Sequence, residues 1–496
     1  MPLTKIVCTM GPATDSPETI RAMIRAGMTV ARLNFSHGTQ DDKQHMAELV
    51  RRIAMEEERY VALMGDLQGP KIRVGQLPEG GVTLEEGKEV VLTSKEVSDP
   101  DVEIPFPHSE IIPDVHVGDR ILLDDGSLEL EATEIRSGRI HARVRVGGVL
   151  TSRKGVNLPN VDLQISALTD KDYDDAIFAM KLGLDYLALS FVRSARDIEE
   201  LREFMDKELH AAQHRAPGEN PHHTPSLIAK IEKPEALQDL ERIVRVSNAI
   251  MVARGDLGVE TAPEDVPLVQ KRIIRLCNEM SRPVITATQM LQSMIESPRP
   301  TRAEASDVAN AILDGSDAVM LSGETSIGKY PVEVVRIMAR IAEKVEASSS
   351  FPYQQILNVH DQNDHDLPTR ILVSRAISRA TVDIAQAVNA TVILTSTESG
   401  RTARMVARHR PATPLLAPTP FAETARRLQL VWGVVPVVVE PFNYTDQMIQ
   451  TMVKSAVERG YAEVGREVVL TAGIPFEVHG VTNMLKVHTV RDVDIE

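Results

Sequence analysis

The sequence predicts an α/β protein: a (β/α)8 TIM barrel with an inserted small β-barrel lid domain and a C-terminal α/β open-sheet domain. Eight short apolar strand candidates alternate with helical patterns at nearly regular intervals, which favours a closed parallel barrel over an open sheet. The interval between the third and fourth candidates is far longer and has the period-two alternation of antiparallel strands. After the eighth candidate, a further series of strands and helices predicts a separate α/β unit.

The barrel strands are predicted from short apolar runs that are followed by helical patterns. The predicted strands are 5–9, 29–33, 60–66, 186–190, 227–231, 249–253, 283–288 and 318–321. Two helix starts are also predicted. Ser16 before Pro17 is typical of an N-cap followed by the first helical residue, and Thr301 with Glu304 has the spacing of a capping box.

The long interval after the third strand predicts a small β-rich domain. Residues 119–130 indicate a hairpin with Asp125 and Gly126 in its turn, and 138–146 indicate a further strand. We therefore expect an inserted domain at 69–160, within a barrel that consists of 1–68 and 161–347. A domain inserted at the carboxyl ends of barrel strands can close over a site as a lid.

The last part of the chain predicts a third domain at 348–496. A helix is expected at 332–347, and the segments 348–352 and 361–366 have the composition of a linker or loop. The strands expected after them are 391–395, 415–417, 435–439, 467–471 and 484–489, with helices between most of them. This order indicates an open, mostly parallel sheet.

Composition limits the class of protein and its partners. The 496 residues are 43% apolar and 25% charged, and no uncharged apolar run approaches about 18 residues, so we expect a cytoplasmic protein with no membrane partner. The formal net charge of -16 argues against a nucleic-acid partner. Cys8 and Cys277 lack the spacing of a metal site and are interpreted as buried thiols.

The fifth and sixth predicted strands end in groups suited to chemistry. Lys230 and Glu232 are two residues apart, so both side chains point the same way from a strand, and Pro234 suits the first turn of a following helix. The sixth strand ends in Gly255-Asp256. Because barrel strands end at one face, where such barrels hold their active sites, Glu232 and Asp256 are candidate ligands for Mg²⁺ or Mn²⁺.

Other predicted strand ends of the barrel also carry polar side chains. They are Arg32, Asn34 and Ser36 after the second strand, Asp66, Lys71 and Arg73 after the third, Thr288 after the seventh, and Ser322 and Glu324 after the eighth. Each group alone has a simple structural explanation, such as solvated charges at a hinge or, for Thr288, a helix N-cap. Complementary polar groups at most of the strand ends instead favour a site for anions and cations at the mouth of the barrel.

Longer motifs resemble those of pyruvate kinases over nearly the whole chain. The matching segments are Ala31-Arg-Leu-Asn-Phe-Ser-His-Gly, Gly69-Pro-Lys-Ile-Arg, Lys154-Gly-Val-Asn-Leu-Pro, Ala229-Lys-Ile-Glu, Met251-Val-Ala-Arg-Gly-Asp-Leu-Gly, Ala287-Thr-Gln-Met-Leu, Pro298-Arg-Pro-Thr-Arg-Ala-Glu and Leu321-Ser-Gly-Glu-Thr. The resemblance implies a barrel, a lid and a regulatory domain, usually in a homotetramer. It also implies a Mg²⁺-dependent conversion of phosphoenolpyruvate and ADP to pyruvate and ATP.

The resemblance also implies roles for individual residues. The substrate is expected to contact Arg32, Lys230, the Gly255 and Asp256 amides and the Thr288 hydroxyl, with Mg²⁺ on Glu232 and Asp256 and the nucleotide on Arg73, Lys154 and His37. Lys230, Arg32 and Thr288 are the candidate catalytic residues. Thr288 is a candidate relay for the proton that the enolate must take up, and a water molecule can also deliver it.

The segment at 395–402 is similar to the effector loop of pyruvate kinases. Its candidate ligand-binding residues are Thr395, Ser396, Thr397, Ser399, Gly400, Arg401 and Thr402. The segment follows a predicted strand and opens a predicted helix, so its polar groups can converge as in an anion site, with a plain N-cap as the alternative. We expect a phosphorylated activator, and Glu398 within the loop favours a monophosphate because it would repel a doubly phosphorylated ligand.

One departure from the family pattern concerns a monovalent cation. In pyruvate kinases that require K⁺, the positions of Asn34, Ser36, Asp66 and the following residue bind the ion, and the position of Lys71 holds a glutamate. Here Leu67 stands where those enzymes have Thr, and Lys71 supplies a positive charge of its own. We therefore predict that K⁺ is not required. The alternative is that Lys71 faces solvent at the hinge and K⁺ still binds.

Two other functions fit parts of the pattern. A Mg²⁺-dependent aldolase or lyase on this scaffold also needs a carboxylate pair and an enolate-stabilising cation, but it has little use for Arg73 and Lys154. A binding protein that has lost catalysis should lack Lys230, Thr288 or a metal ligand, and all of them are present. An assay of pyruvate formation distinguishes the three functions.

Overall fold

The computed structural model describes residues 1–97, 99, 102–159, 161, 163–212, 224–351, 368–474 and 481–495. They form a closed parallel barrel, an inserted β domain and a C-terminal α/β sheet, so the fold class predicted from the sequence is confirmed. The predicted loop at 361–366 lies outside the described residues, as does the last residue of the predicted segment 348–352.

The described strands and helices follow one another in the order expected of a barrel with an insertion and an appended domain. The strands are β1 (Lys5–Thr9), β2 (Val30–Asn34), β3 (Ala62–Asp66), β4 (Val82–Leu84), β5 (Glu89–Thr93), β6 (Glu103–Pro105), β7 (Arg120–Leu123), β8 (Leu128–Arg136), β9 (Arg139–Val146), β10 (Gly148–Leu150), β11 (Val156–Asn157), β12 (Tyr186–Leu189), β13 (Ser226–Ile231), β14 (Ala249–Ala253), β15 (Val284–Ala287), β16 (Ala318–Leu321), β17 (Ile393–Thr395), β18 (Leu415–Thr419), β19 (Val434–Val438), β20 (Glu467–Ala472) and β21 (Met484–Thr489). The α-helices are α1 (Pro17–Ala26), α2 (Gln40–Glu56), α3 (Asp170–Lys181), α4 (Ala195–Ala212), α5 (Leu240–Val246), α6 (Arg254–Glu260), α7 (Val266–Glu279), α8 (Arg302–Leu313), α9 (Gly323–Ser326), α10 (Pro331–Glu346), α11 (Thr369–Ala387), α12 (Arg401–Ala407), α13 (Ala422–Arg427) and α14 (Thr445–Glu458). Short 3₁₀ turns occur at Pro12–Thr14, Ile112–Asp114, Pro234–Leu237, Gln292–Ile295, Leu428–Leu430 and Asp492–Asp494.

The barrel closes in the strand order β1-β16-β15-β14-β13-β12-β3-β2, and all of its strand pairs are parallel. Side chains alternate between the interior, where Val7, Met64 and Met251 meet, and the outer layer that packs against the helices. The predicted caps are also present. Ser16 accepts a hydrogen bond at the start of α1, and Thr301 forms a capping box at the start of α8.

The inserted domain is a six-stranded sheet in the order β11-β7-β8-β9-β5-β6, with a separate β10-β4 pair. The hairpin predicted around Asp125 and Gly126 is confirmed, because β7 and β8 pair antiparallel across that turn. Gly69 follows strand β3 by three residues and has a φ of +66°, which favours glycine. A Cβ at Gly69 would also lie 2.9 Å from Phe191 Cδ2, so a larger residue cannot be accommodated without movement of that ring.

The C-terminal sheet has the order β19-β18-β17-β20-β21. The first four strands are parallel and β21 is antiparallel, as expected for an open, mostly parallel sheet. Cys8 and Cys277 are buried free thiols, as predicted. Within the described ranges, no helix is long and apolar enough to cross a membrane.

A buried arginine joins the C-terminal domain to the amino ends of the barrel strands. Arg410 is 1% exposed, and its Nη1 lies 3.0 Å from Oδ1 of Asp317, the residue directly before β16. Its Nη2 donates to Asn278 Oδ1 at 3.0 Å and to the Gly315 carbonyl at 2.6 Å. The guanidinium carbon also lies 5.0 Å from the ring centroid of Trp432. This contact therefore combines an ion pair, two hydrogen bonds and a cation–π interaction.

We expect Arg410→Met to lower the free energy of unfolding by about 3–5 kcal/mol, because the change leaves Asp317 as a buried carboxylate without its cation. The measurement is the urea midpoint together with the melting temperature. Arg379→Met is the matched control, since the ion pair of Arg379 with Asp383, at 3.8 Å, is exposed. Equal changes in the two variants would contradict a structural role for the buried pair.

Candidate active site

The carboxyl ends of the barrel strands gather buried charges around Lys230. Its Nζ lies 3.2 Å from Asp66 Oδ1 and 2.9 Å from Glu232 Oε1, and it donates to Ser190 Oγ at 2.7 Å. These partners come from the ends of β3, β13 and β12. The ammonium is thus held by three neighbouring strands, which fixes its position at the mouth of the barrel.

Arg32 completes this cluster from β2. Its Nε donates to Asp66 Oδ2 at 2.6 Å, and its Nη1 donates to Thr9 Oγ1 at 2.9 Å. Burial opposes ionisation of Asp66, but the charges of Arg32 and Lys230 hold the pKa of Asp66 below its usual value. Burial likewise opposes the charge of Lys230, yet Asp66 and Glu232 raise the pKa of Lys230 above its usual value. Lys230 therefore stays charged at neutral pH, and together with the Arg32 guanidinium it can stabilise an anionic ligand.

Glu232 and Asp256 form a carboxylate pair beside Lys230. Burial raises the pKa of Glu232 and the charge of Asp256 raises it further, whereas Lys230 acts in the opposite direction. The Phe191 amide donates to Glu232 Oε2 at 2.7 Å, and Asp256 lies in the first turn of α6.

This donor set fits a hard divalent cation. A second negative charge beside the buried Glu232 carboxylate is costly without a cation, and two protein oxygens leave positions for water and substrate, as Mg²⁺ prefers. In the part of the chain that the structure describes, no group of three or more His, Cys, Asp and Glu side chains is arranged to hold a metal.

Thr288 lies at the end of β15 in a strained backbone conformation. The N-cap interpretation is wrong, because no helix begins there and the chain instead passes through Thr288 and Gln289 with φ of +67° and +55°. Thr288 Oγ1 accepts a hydrogen bond from the Gly255 amide at 2.7 Å and donates to the Ala287 carbonyl at 2.6 Å. Arg254 Nη2 donates to the Thr288 carbonyl at 2.9 Å and so supports this turn.

The segment after Glu232 also differs from expectation. The helix expected from Pro234 is a 3₁₀ turn at Pro234–Leu237, and the α-helix starts only at Leu240. Lys233, directly before this turn, forms a buried ion pair in which its Nζ is 2.6 Å from Glu260 Oε1. Asn157 of the lid domain donates to the same oxygen at 2.8 Å. This contact fastens the returning hinge of the lid to the barrel.

The residues assigned to the nucleotide contact other parts of the protein in this structure. Arg73 Nη1 donates to the Arg153 carbonyl at 2.9 Å, and Lys154 Nζ lies 2.7 Å from Asp124 Oδ1. His37 is exposed after β2. Within the described ranges, no hydrogen bond or ion pair joins these three residues to the Lys230 cluster.

Oxygens at three of the four positions of the monovalent-cation site, those of Asn34, Asp66 and Leu67, already accept hydrogen bonds. Asn34 Oδ1 accepts from the Ser36 amide at 3.1 Å, the Leu67 carbonyl accepts from Ser190 Oγ at 2.7 Å, and both Asp66 oxygens are used as described above.

Lys71 is half-buried and lines a cavity of about 40 Å³ between barrel and lid, together with Asp256 and Glu260. It has no ion-pair partner among the described residues.

The segment at 395–402 connects β17 to α12, and much of its polar surface is used within the fold. The N-cap of α12 is Gly400, with φ of +78° and no side chain, so a side-chain N-cap is the wrong explanation for this segment. Thr395 Oγ1 donates to the Leu416 carbonyl, and the Thr402 and Thr482 hydroxyls are 3.0 Å apart. The backbone amides of Ser396 and Thr397 donate to carbonyls of neighbouring strands. Among the candidate ligand-binding residues, the side chains of Ser396, Ser399 and Arg401 are not fully buried, and Glu398 beside them is exposed.

Sequence reasoning did not identify Ser190 as part of the cluster. It was assigned only to the end of a strand, although Tyr186 and Ala188 point into the barrel and two-residue alternation puts Ser190 on the same side. This alternation was the signal that could have found it. The Lys233–Glu260 pair had no comparable signal, because its partners are 27 residues apart.

The chain is similar to proteins of known family along nearly its whole length. Residues 1–335 match the pyruvate kinase barrel domain, and residues 375–488 match the pyruvate kinase alpha/beta domain. The chain is 46% identical over 494 residues to pyruvate kinase 2 of Synechocystis, which covers 99% of this chain and 80% of that protein. It is 43% identical over 492 residues to the pyruvate kinase of Geobacillus stearothermophilus, with coverage of 99% and 81%.

A solved structure gives the same result for the three-dimensional fold. A pyruvate kinase from Cryptosporidium parvum matches with a TM-score of 0.88 and 35% sequence identity, over 98% of this chain and 96% of that one. Both family models, the near full-length identity and the shared fold lead to one conclusion. The chain belongs to the pyruvate kinase family and is an enzyme of that family.

Proposed function

We propose that the barrel mouth transfers the phosphoryl group of phosphoenolpyruvate to ADP, with Lys230 as the central catalytic residue. Family membership supports the reaction. The observation that supports the assignment of the site is the Lys230 ammonium, held between Asp66, Glu232 and Ser190 at the carboxyl ends of the strands. In such a transfer the protein contributes mainly positioning and electrostatic stabilisation.

The chain's own cations act on the charge that moves during the transfer. The bond between the phosphorus and the enol oxygen breaks, a bond from the terminal ADP oxygen to that phosphorus forms, and the electron pair stays on the enol oxygen. We assign Arg32 to the phosphoryl oxygens, and Lys230 to the phosphoryl group and the enolate oxygen. We further assign Arg73, Lys154 and His37 to the nucleotide once the lid closes, since in this structure Arg73 and Lys154 contact other groups of the inserted domain and His37 is exposed.

Glu232 and Asp256 would hold the divalent cation that the family uses. When bound, this ion supplies positive charge that neutralises the phosphoryl oxygens. The proposal names Mg²⁺, with Mn²⁺ as a possible substitute, because hard oxygen ligands suit both ions. The amides of Gly255 and Asp256 and the Thr288 hydroxyl are proposed to bind the substrate carboxylate. To donate to this carboxylate, the Thr288 hydroxyl would give up its present hydrogen bond to the Ala287 carbonyl.

The enolate then takes up a proton at its methylene carbon to give pyruvate. Thr288 is the proposed relay from water, because its hydroxyl faces the Gly255 turn at the barrel mouth. A threonine hydroxyl is too weak an acid to supply the proton without a water partner.

An assay that couples pyruvate formation to NADH oxidation tests the proposal. Pyruvate and ATP should appear in equal amounts, and only when both phosphoenolpyruvate and ADP are present. An aldolase or lyase would release pyruvate from a different substrate without ADP. The resemblance further supports a homotetramer in the cytoplasm, and the mass of the protein in solution tests the oligomeric state.

We propose that K⁺ is not required. The oxygens of Asn34, Asp66 and Leu67 already accept hydrogen bonds, and Lys71 lines the cavity beside Asp256. Two like unit charges about 4 Å apart interact by about 4 kcal/mol at an effective dielectric near 20, which is enough to empty a weak ion site. The wild-type rate with Mg²⁺ and a tetraalkylammonium salt should therefore not rise when KCl replaces that salt at equal ionic strength.

Lys71→Glu tests the same proposal from the other side. We expect lower activity than in the wild type, because the variant loses a positive charge near the phosphoryl group. Addition of K⁺ should restore part of that activity, since an ion can replace the missing charge. Strong activation of the wild type by KCl would show that Lys71 does not replace the ion.

We also propose that the segment at 395–402 binds a phosphorylated activator. Ser396, Ser399 and Arg401 are accessible polar side chains of this segment, and the exposed Glu398 favours a monophosphate over a doubly phosphorylated ligand. The expected result is a left shift of the phosphoenolpyruvate saturation curve with a sugar monophosphate or a nucleoside monophosphate. Arg401→Ala should abolish this shift without changing kcat at saturating substrate. A wild-type curve that no candidate moves would indicate a structural loop.

A further inference from the structure

We propose that Ser190 is a positioning residue for Lys230, and that strand β12 connects it to helix α13 of the C-terminal domain. The proposal rests on the catalytic role proposed above for Lys230. It follows from hydrogen bonds at both ends of this one strand.

The upper end of β12 holds the catalytic ammonium. Ser190 directly follows the strand, is 3% exposed, and accepts a hydrogen bond from Lys230 Nζ at 2.7 Å. Its own hydroxyl proton goes to the Leu67 carbonyl at 2.7 Å. Because the hydroxyl proton is directed to Leu67, the oxygen lone pairs are left to accept the hydrogen bond from Lys230.

The lower end of β12 is held by α13. Asp185 directly precedes the strand and is fully buried, and its Oδ1 accepts a hydrogen bond from Arg426 Nε at 2.8 Å. Its Oδ2 accepts from the Leu63 amide at 2.8 Å. The Tyr186 hydroxyl donates to the Arg427 carbonyl at 2.6 Å. Two consecutive residues of the barrel thus contact the last two residues of α13.

Helix α13 in turn contacts the segment at 395–402. Thr424 Oγ1 donates to the Glu398 carbonyl at 2.5 Å. A continuous series of contacts therefore runs from this segment through α13 and β12 to Lys230. The strand between Asp185 and Ser190 spans about 16 Å at 3.3 Å per residue. All of its residues are buried, and it pairs with β3 and β13, so it acts as a stiff connector.

A double-mutant cycle on the Mg²⁺-loaded enzyme tests the connection. Ser190→Ala should lower kcat by about tenfold or more, with a smaller change in KM for phosphoenolpyruvate, because Lys230 loses a partner that positions it. Arg426→Met should lower kcat by about threefold or more. The double variant should lose no more than Ser190→Ala alone, since both changes act on the same contact.

Arg408→Met is the matched control. Arg408 also joins the C-terminal domain to the barrel, but it donates to the Glu279 carbonyl and to Ser281 Oγ rather than to β12. The factor by which Arg408→Met changes kcat should be the same in the wild type and in Ser190→Ala, so that the two effects multiply in the double variant. Melting temperatures of all variants separate loss of folding from loss of positioning.

The proposal is overturned if the effects of Ser190→Ala and Arg426→Met multiply, or if either variant keeps the wild-type kcat. If Ser190→Ala does not fold, Asp185→Asn tests the link from the other end, and a wild-type kcat in that variant overturns it as well. Lys230→Ala separates this inference from the proposed function. If Lys230→Ala retains turnover, the catalytic role of Lys230 is contradicted. If Lys230→Ala loses turnover but the effects of Ser190→Ala and Arg426→Met multiply, only the connection through β12 is contradicted.

Discussion

Lys230→Ala is expected to lower kcat by at least about 10²- to 10³-fold. The ammonium is preorganised by Asp66, Glu232 and Ser190, so it needs no rearrangement when negative charge develops on the phosphoryl and enolate oxygens. Removal of one such preorganised donor typically costs a rate factor of that size. The measurement is the initial rate of pyruvate formation at saturating substrates, with metal binding followed separately by titration with Mn²⁺.

Metal binding should remain nearly intact in Lys230→Ala, since Glu232 and Asp256 are unchanged. Lys233→Ala is a suitable control because it removes the same charge three residues away. Lys233 pairs with Glu260 rather than with the cluster, so that variant should lose stability and less than about tenfold in kcat. Near-normal turnover in Lys230→Ala would remove this lysine from the mechanism.

The fold was predictable because its signals are local. The barrel strands consist of short apolar runs. Ser16-Pro17 and Thr301…Glu304 are capping sequences that lie within a few residues of the helices whose start they predict. The bounds of the barrel strands differ from the prediction by at most two residues, as at β3, where the predicted start at 60 becomes Ala62. The sequence predicts the residue at which each barrel strand ends. Because the strands are parallel, their carboxyl ends then lie together at one face of the barrel.

Contacts between distant residues were not predictable in this way. Arg410 and Asp317 are 93 residues apart, and Arg426 and Asp185 are 241 apart, so no period or motif joins them. The same holds for the contact of Asn157 with Glu260, which depends on how the lid returns to the barrel. Such pairs are fixed by the packing of domains against each other.

Thr288 shows a different limit. A threonine after a strand and before an apolar segment is usually a helix N-cap, and local propensity favoured that role. In the structure the residue adopts φ of +67°, which is unusual for a β-branched side chain, and Arg254 holds the turn through the Thr288 carbonyl. Strain of this kind is found where tertiary contacts override local preference, and it occurs here beside Asp256.

Glu232→Gln is expected to lower turnover by at least about 10²-fold at a fixed low Mg²⁺ concentration. An amide keeps the size of the side chain and one oxygen, but it removes the negative charge that attracts the cation. A bound metal ion contributes several kcal/mol of charge stabilisation to such a transfer, and each 1.36 kcal/mol corresponds to a tenfold change in rate. The variant also weakens the pair with Lys230, whose Nζ lies 2.9 Å from Glu232 Oε1.

Two readouts separate these effects. If Glu232 holds the metal, the apparent Kd for Mn²⁺ measured by titration should rise by about tenfold or more, and part of the lost rate should return at high Mg²⁺. If Glu232 only positions Lys230, the rate should fall without any change in Mn²⁺ affinity. Glu264→Gln is the matched control. It removes the same charge from a side chain that is exposed in the loop after α6. A wild-type Mn²⁺ affinity in Glu232→Gln would contradict the assignment, since the buried position of this carboxylate beside Asp256 would then serve only the ammonium.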